Sequence, residues 1–180
     1  MHALTLDAPR PFDRATPSFA SVAEELLDDV YGYLLYLTKN WAVAEDLTGE
    51  TFETALRTWR RYDPRRGTPR AWLLTIARTT ALDWFRSDQR RRRREERAEA
   101  SDPRPPSREP FGEGLSPELE EALDTLSAGE REVVALRIVL DLDGDEASRV
   151  LGISRTAVST RLSRALAKLE ERMKEHDPVA

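Results

Sequence analysis

Arg155, Thr156, Ser159, Thr160, Arg161, Ser163 and Arg164 crowd one short stretch near the end of the chain. Their chemistry is hydrogen bonding rather than bond making. A guanidinium offers paired donors that match the acceptor edge of guanine, and hydroxyls reach bases or phosphates. At helical spacing Arg155, Thr156, Ser159, Thr160, Ser163 and Arg164 face outward, while Val158, Leu162, Ala165, Leu169 and Met173 form an apolar stripe. Arg161 and Lys168 sit at the flank, where phosphates are the better target. An amphipathic helix with a solvated basic face has the same pattern, so the preceding residues decide. Asp145 to Leu151 predicts a short helix, Gly152-Ile153-Ser154 a tight turn, and Ser154 a cap for the long last helix. Gly152 takes the left-handed conformation such a turn needs. Ala147 and Val150 then face Val158 and Leu162, and small Ala147 permits close approach. This is a helix-turn-helix, whose second helix enters the major groove through its first residues.

Two more groups of side chains could do chemistry. Asp46, Glu50 and Glu53 are spaced to share one exposed helix face. Paired carboxylates can serve acid–base catalysis, but no histidine, nucleophile or glycine-rich phosphate loop accompanies them. A solvated or partner-binding surface is the simpler reading. Farther on, Trp72, Arg78, Thr79, Thr80, Trp84, Phe85 and Arg86 precede five arginines, Arg90 to Arg94. Rings that stack on bases beside cations that hold phosphates suit single-stranded DNA. Trp72 and Trp84 lie near one helical face and read mainly as core.

Composition narrows the classes. The chain has 180 residues, no cysteine and two histidines, His2 and His176, one near each end. Disulfides, thiolate metal sites and histidine-based catalysis are thereby removed, and neither an enzyme nor a cofactor is expected. No apolar run approaches the roughly 20 residues of a membrane helix. Met1 to Arg14 lacks the apolar core of a signal peptide, so a cytoplasmic protein without membrane insertion is expected. The net charge of −5 is unevenly spread. Ala20 to Arg60 carries three basic and eight acidic residues; Arg86 to Arg97 carries seven basic and three acidic, and Ser154 to Lys174 six and two. An acidic block suits a protein partner, and basic blocks suit phosphates.

The elements that must position these groups are helices; no alternating β pattern of useful length occurs. Leu27, Val30, Tyr31, Leu34 and Thr38 mark a first apolar stripe. Leu47, Thr51, Phe52, Ala55, Leu56 and Trp59 mark a second, ending near Asp63-Pro64. A third helix starts at Pro69 with Thr68 as cap and carries Leu73, Ile76, Ala77, Thr80, Ala81 and Trp84. Ser101 to Gly114 is rich in proline and glycine and reads as a flexible linker. Helices resume at Ser116-Pro117, with Leu119, Leu123 and Leu126 on one face, and at Ser127 to Glu130, a capping box followed by Val133, Leu136 and Leu140. The expected fold is all-α, two small helical domains joined by a flexible linker, the second containing the helix-turn-helix. The expected division is a disordered tail at 1–17, a first domain at 18–97, a linker at 98–115 and a second domain at 116–176.

In their order along the chain, the three groups resemble the extracytoplasmic-function sigma factors of the sigma-70 family. Ala44 to Phe52 resembles the polymerase-binding segment, A-x-D-L-x-Q-E-x-F. Pro69 to Phe85, PRAWLLTIARTTALDWF, resembles the segment that melts and reads the −10 promoter element, and Leu126 to Leu169 resembles the −35-reading domain. The resemblance implies a factor that binds core RNA polymerase and directs promoter-specific initiation in response to stress or another signal. It places Asp46, Leu47, Glu50 and Phe52 at the clamp helices of the polymerase β′ subunit. Arg78, Thr79, Asp83 and Arg86 would meet −10 DNA; Arg155, Thr156, Ser159, Thr160, Arg161, Ser163 and Arg164 would meet −35 DNA. The β flap, promoter DNA and an anti-sigma factor are the other implied partners. Gly49 stands where glutamine is common, Thr79 where asparagine is frequent, and Leu142 to Ser148 replaces a common L-S-x-x-E-I-A. The alternatives are a different helix-turn-helix regulator and a sigma-like adaptor that does not initiate transcription.

Overall fold

Ser18 accepts a hydrogen bond from the Ser21 amide at 3.1 Å and so starts α1, Phe19–Thr38. This is a computed structural model of the chain, and it describes residues 17–98 and 116–176. Nearly all of the expected tail and most of the expected linker lie outside the described residues. α1 buries Val22, Leu26, Val30, Tyr33 and Leu34. Leu27, expected on that stripe, is instead 48% exposed, because the Leu26 and Val30 row faces the core and its neighbour is turned away by one helical step. The helix stops at Lys39, which adopts φ 52° and returns its amide to the Leu35 carbonyl.

Asn40 caps α2, Trp41–Thr58, by accepting from the Val43 amide at 2.9 Å. Ala44, Leu47, Thr48, Thr51 and Ala55 are its buried face. Each buried threonine donates its hydroxyl to the carbonyl four residues back, Ala44 or Leu47, at 2.7 Å, so neither polar group is stranded. Leu56, expected on the buried stripe, is instead 59% exposed. A 3₁₀ turn at Trp59–Arg61 follows. Trp59 stacks on Tyr62 at 4.9 Å and meets Trp72 and Phe19 edge-on, both at 5.5 Å. This aromatic cluster joins the start of α1 to the start of α3.

Thr68 caps α3, Pro69–Ala98, through the Ala71 amide at 3.1 Å. Leu73, Leu74, Ala77, Thr80 and Ala81 are buried, whereas Trp72, Ile76 and Trp84 are half-buried. The helix runs on beyond its apolar stripe into the arginine run, where Asp88 pairs with Arg91 and Arg92 at 2.6 and 2.7 Å. Those i,i+3 and i,i+4 pairs support a segment with little else to pack on.

Ser116 and Pro117 begin α4, Pro117–Asp124. The capping box of Ser127 and Glu130 begins α5, Ala128–Val134, which continues as a π-helical turn at Ala135–Val139. Asp143 caps α6, Gly144–Leu151, accepting from the amides of Asp145 and Glu146 at 2.7 and 2.8 Å. Gly152 is left-handed at φ 66°. Ser154 then caps α7, Arg155–His176, through the Ala157 amide at 3.2 Å. Val158 and Ala165 are buried and Leu162 and Leu169 half-buried, while Met173 is exposed rather than buried, beyond the reach of the small domain beneath.

The chain is all-helical among the described residues, in two helical units. The units also pack on each other: α3 lies against α6, and one cluster of buried side chains runs from Val22 to Ala165 through both. Polar contacts edge this junction. Arg70 reaches Asp29 at 2.6 Å and the Leu140 carbonyl at 2.7 Å; Thr68 donates to Glu146 at 2.7 Å; Lys39 pairs with Asp124.

Candidate nucleic-acid interface

The last two helices form the turn that the sequence implies. Ala147, Val150 and Leu151 of α6 are buried together with Val158 of α7. The Gly152 amide returns to the Ser148 carbonyl at 2.9 Å, and the Ser148 hydroxyl donates to the Ile153 carbonyl at 2.8 Å. This turn sets the direction of α7 and turns one of its faces to solvent. Arg155, Thr156, Ser159, Thr160, Ser163 and Arg164 are all exposed on it. A shallow groove runs beside that face, bounded by Arg137, Gly144, Arg155, Ser159, Leu162 and Leu166. Arg155 lies 3.6 Å from Asp145 yet remains 71% exposed, so its fork is available to another acceptor.

Arg161 and Lys168 are placed differently. Arg161 is half-buried, its guanidinium against Gly129, where a Cβ would stand 3.0 Å from Nη1. Gly129 therefore makes room for an arginine that braces α5 against α7. Lys168 donates to the Glu130 carboxylate at 2.9 Å. That hydrogen bond, with those from the Ser127 amide and hydroxyl, outweighs burial and holds the Glu130 carboxyl at about 2.

On α3, Arg86 pairs with Asp83 at 2.9 Å, both well exposed, and the Thr79 hydroxyl donates to the Thr75 carbonyl at 2.9 Å. Phe85 is partly exposed and meets Trp84 edge-on at 5.0 Å. Arg90 to Arg94 are exposed. Arg78 stands apart from the others. Its Nη2 donates to Glu132 Oε2 at 3.2 Å and its Nε lies 2.9 Å from Oε1. Glu132 belongs to α5, so a residue expected at DNA is here joined to the other unit.

On α2, Asp46, Glu50 and Glu53 are exposed, with Glu53 held by Arg57 at 3.0 Å. Leu47 is 3% exposed and Phe52 half-buried against Phe19 at 6.5 Å. Leu47 thus packs inside, Phe52 is only partly covered, and the carboxylates of Asp46 and Glu50 face solvent. A Cβ at Gly49 would touch nothing within 4 Å, which leaves a gap in that surface.

Sequence reasoning missed Arg70, Glu132 and Glu146, which join the units, and Asp29, which holds Arg70 within the first unit. No periodicity or motif points to them, since each meets a partner at least 41 positions away, as Arg70 does Asp29.

The sigma-70 region 2 family model matches residues 22–91, and the sigma-70 region 4 model matches 116–169. The chain is 35% identical to the ECF RNA polymerase sigma factor BldN of Streptomyces coelicolor, over 84% of this chain and 60% of that one. It is 30% identical to the ECF RNA polymerase sigma factor SigX of Bacillus subtilis, over 81% and 78%. Among solved structures it resembles the sigma factor RpoE of Bartonella quintana, crystallised with the anti-sigma factor NepR, with TM-score 0.66 and 25% identity over 87% of this chain and 96% of that one. With both helical units matched in order and the helix-turn-helix in its place, the chain belongs to the extracytoplasmic-function sigma factors of the sigma-70 family, which direct transcription initiation.

Proposed function

We propose that this sigma factor binds core RNA polymerase through the carboxylate face of α2, engages melted −10 DNA along α3 and reads the −35 duplex with α7. The observation that carries the reading is the exposed polar face of α7, presented by a capped helix and a left-handed glycine turn. The exposed arginine run on α3 supports a second, phosphate-binding surface. Two weak DNA contacts on one chain reinforce each other through effective concentration, so neither needs to be tight. This accommodates a net charge of −5. The chemistry of initiation belongs to the polymerase, in the cytoplasm, and the sigma factor supplies no catalytic group. An anti-sigma factor is a further proposed partner; the solved sigma factor complex with NepR supports it.

Run-off transcription with purified core polymerase on a promoter library tests the reading. Specific initiation that depends on the added protein is expected. Arg164→Ala and Thr160→Ala should each reduce −35-dependent initiation roughly tenfold, the loss of one base contact, while leaving core binding in a pull-down unchanged. Absence of both initiation and core binding would sink the proposal.

A further inference from the structure

Arg155 is the first residue of α7, and the first residues of such a helix enter the major groove. Its side chain lies back across the start of α6, over Gly144. A Cβ on that glycine would stand 3.3 Å from Arg155 Nε, 3.5 Å from Cγ and 3.8 Å from Cδ. The missing side chain is therefore the seat in which the arginine stem rests. Nη1 lies 3.6 Å from Oδ2 of Asp145, the next residue of α6. The backbone of that turn is itself fixed, because Asp143 accepts from the amides of Asp145 and Glu146. Arg155 and Asp145 both remain largely in solvent, and an ion pair so exposed adds little to stability. Its effect falls instead on the orientation of a long side chain, whose many rotamers must otherwise be frozen at the moment of binding.

We infer that Gly144 and Asp145 of α6 aim the Arg155 guanidinium, and so set the base preference of α7 at the position its first turn reaches, without touching DNA themselves. This rests on the proposed role of α7 in reading the −35 duplex. A guanidinium selects guanine by placing two donors on O6 and N7 at once, and that match depends on the plane of the fork as well as on its reach. Gly144 fixes where the stem runs, and Asp145 fixes which way the fork turns. Arg137 borders the same groove but is bonded to the Leu142 carbonyl. Asp145 has two effects that differ in kind. Its negative charge opposes phosphates on every sequence alike, whereas its contact with Arg155 favours one base. Both α6 residues stand at the positions that the family pattern L-S-x-x-E-I-A leaves open, where one member can differ from another.

The test is run-off transcription by the full chain with core polymerase, on promoters randomised through the −35 element. The ratio of initiation with guanine to initiation with adenine is read at each position. Arg155→Ala identifies the position that Arg155 reads, where the ratio should fall roughly tenfold. Asp145→Ala and Gly144→Ala should each lower it roughly threefold at that position and at no other. Asp145→Glu should restore part of the preference. Asp145→Ala should also raise initiation from disfavoured sequences, since one negative charge is gone. Gly144→Ala separates aim from folding. Gly144 lies outside the left-handed region, and alanine favours a helix over glycine. The melting temperature should therefore hold or rise while the guanine preference falls. In an Arg155→Ala background neither α6 substitution should change the preference further. Undiminished guanine preference in Asp145→Ala and Gly144→Ala, or an equal loss when Arg155 is already absent, would overturn the inference. A −35-dependent profile that Arg155→Ala leaves intact would overturn it too, with the sigma reading still standing. A parent whose initiation ignores the −35 sequence would overturn both.

Discussion

Gly49 and Glu130 show how much a single position can carry. Gly49 sits in the interior of α2, and a Cβ there would meet nothing within 4 Å. Helical glycine costs about 1 kcal/mol against alanine. Gly49→Ala is expected to raise stability by about that amount in urea unfolding, with an unchanged denaturant slope. Gly49→Gln should keep most of the gain and strengthen core polymerase binding, read by pull-down against the parent. Glu130 closes the capping box of α5 and accepts from Lys168, which together hold its carboxyl at about 2 against an ordinary 4.5. A depressed carboxylate pKa means that the folded form binds its proton later than the unfolded chain does. Its contribution is fully present above about pH 4.5 and disappears as the pH falls toward 2. Glu130→Gln should lose stability at pH 7 and show a smaller further loss through that window than the parent, measured by melting at each pH.

At the scale of elements, the helix-turn-helix depends on two small devices. Asp143 satisfies two amides at the start of α6, replacing the serine cap common in the family, and hydrogen bonds from the Glu146 and Asp145 amides keep its carboxyl below the usual range against its desolvation. Asp143→Ala should cost about 1 kcal/mol. Gly152 ends α6 in the left-handed region at φ 66°, with open space around it. Gly152→Ala is therefore opposed by backbone conformation and not by crowding, at about 1 kcal/mol. Both variants should lower the melting temperature; −35-dependent initiation below that temperature should change less than in Arg164→Ala, since neither residue belongs to the exposed face of α7. The apolar periods located every helix of this region, but the outer members of the stripes were misassigned. Leu27, Leu56 and Met173 match the helical period and still face solvent. A period counts residues along one helix, and only the neighbours decide how wide the covered arc is.

For the molecule as a whole, the continuous core across both units predicts cooperative behaviour. Heat should unfold the parent in one calorimetric transition whose calorimetric and van't Hoff enthalpies agree. Glu132→Gln, which removes the charge that Arg78 meets across the two units, should broaden or divide that transition, because the units then lose their shared contacts separately.

The sequence by itself determined the helices, their caps, the glycine turn, the polar face of α7 and the acidic and basic blocks. All of these are written in residues within a few turns of one another, where spacing and side-chain chemistry suffice. Only the tertiary structure decided that Leu47 is buried and Phe52 half-buried, that Lys168 and Arg161 brace α5, and that Arg78 is bonded to Glu132. Those outcomes depend on pairs far apart in the chain, such as Arg78 and Glu132, 54 positions apart. No local period encodes such a pairing; it exists only once packing brings the two helices together.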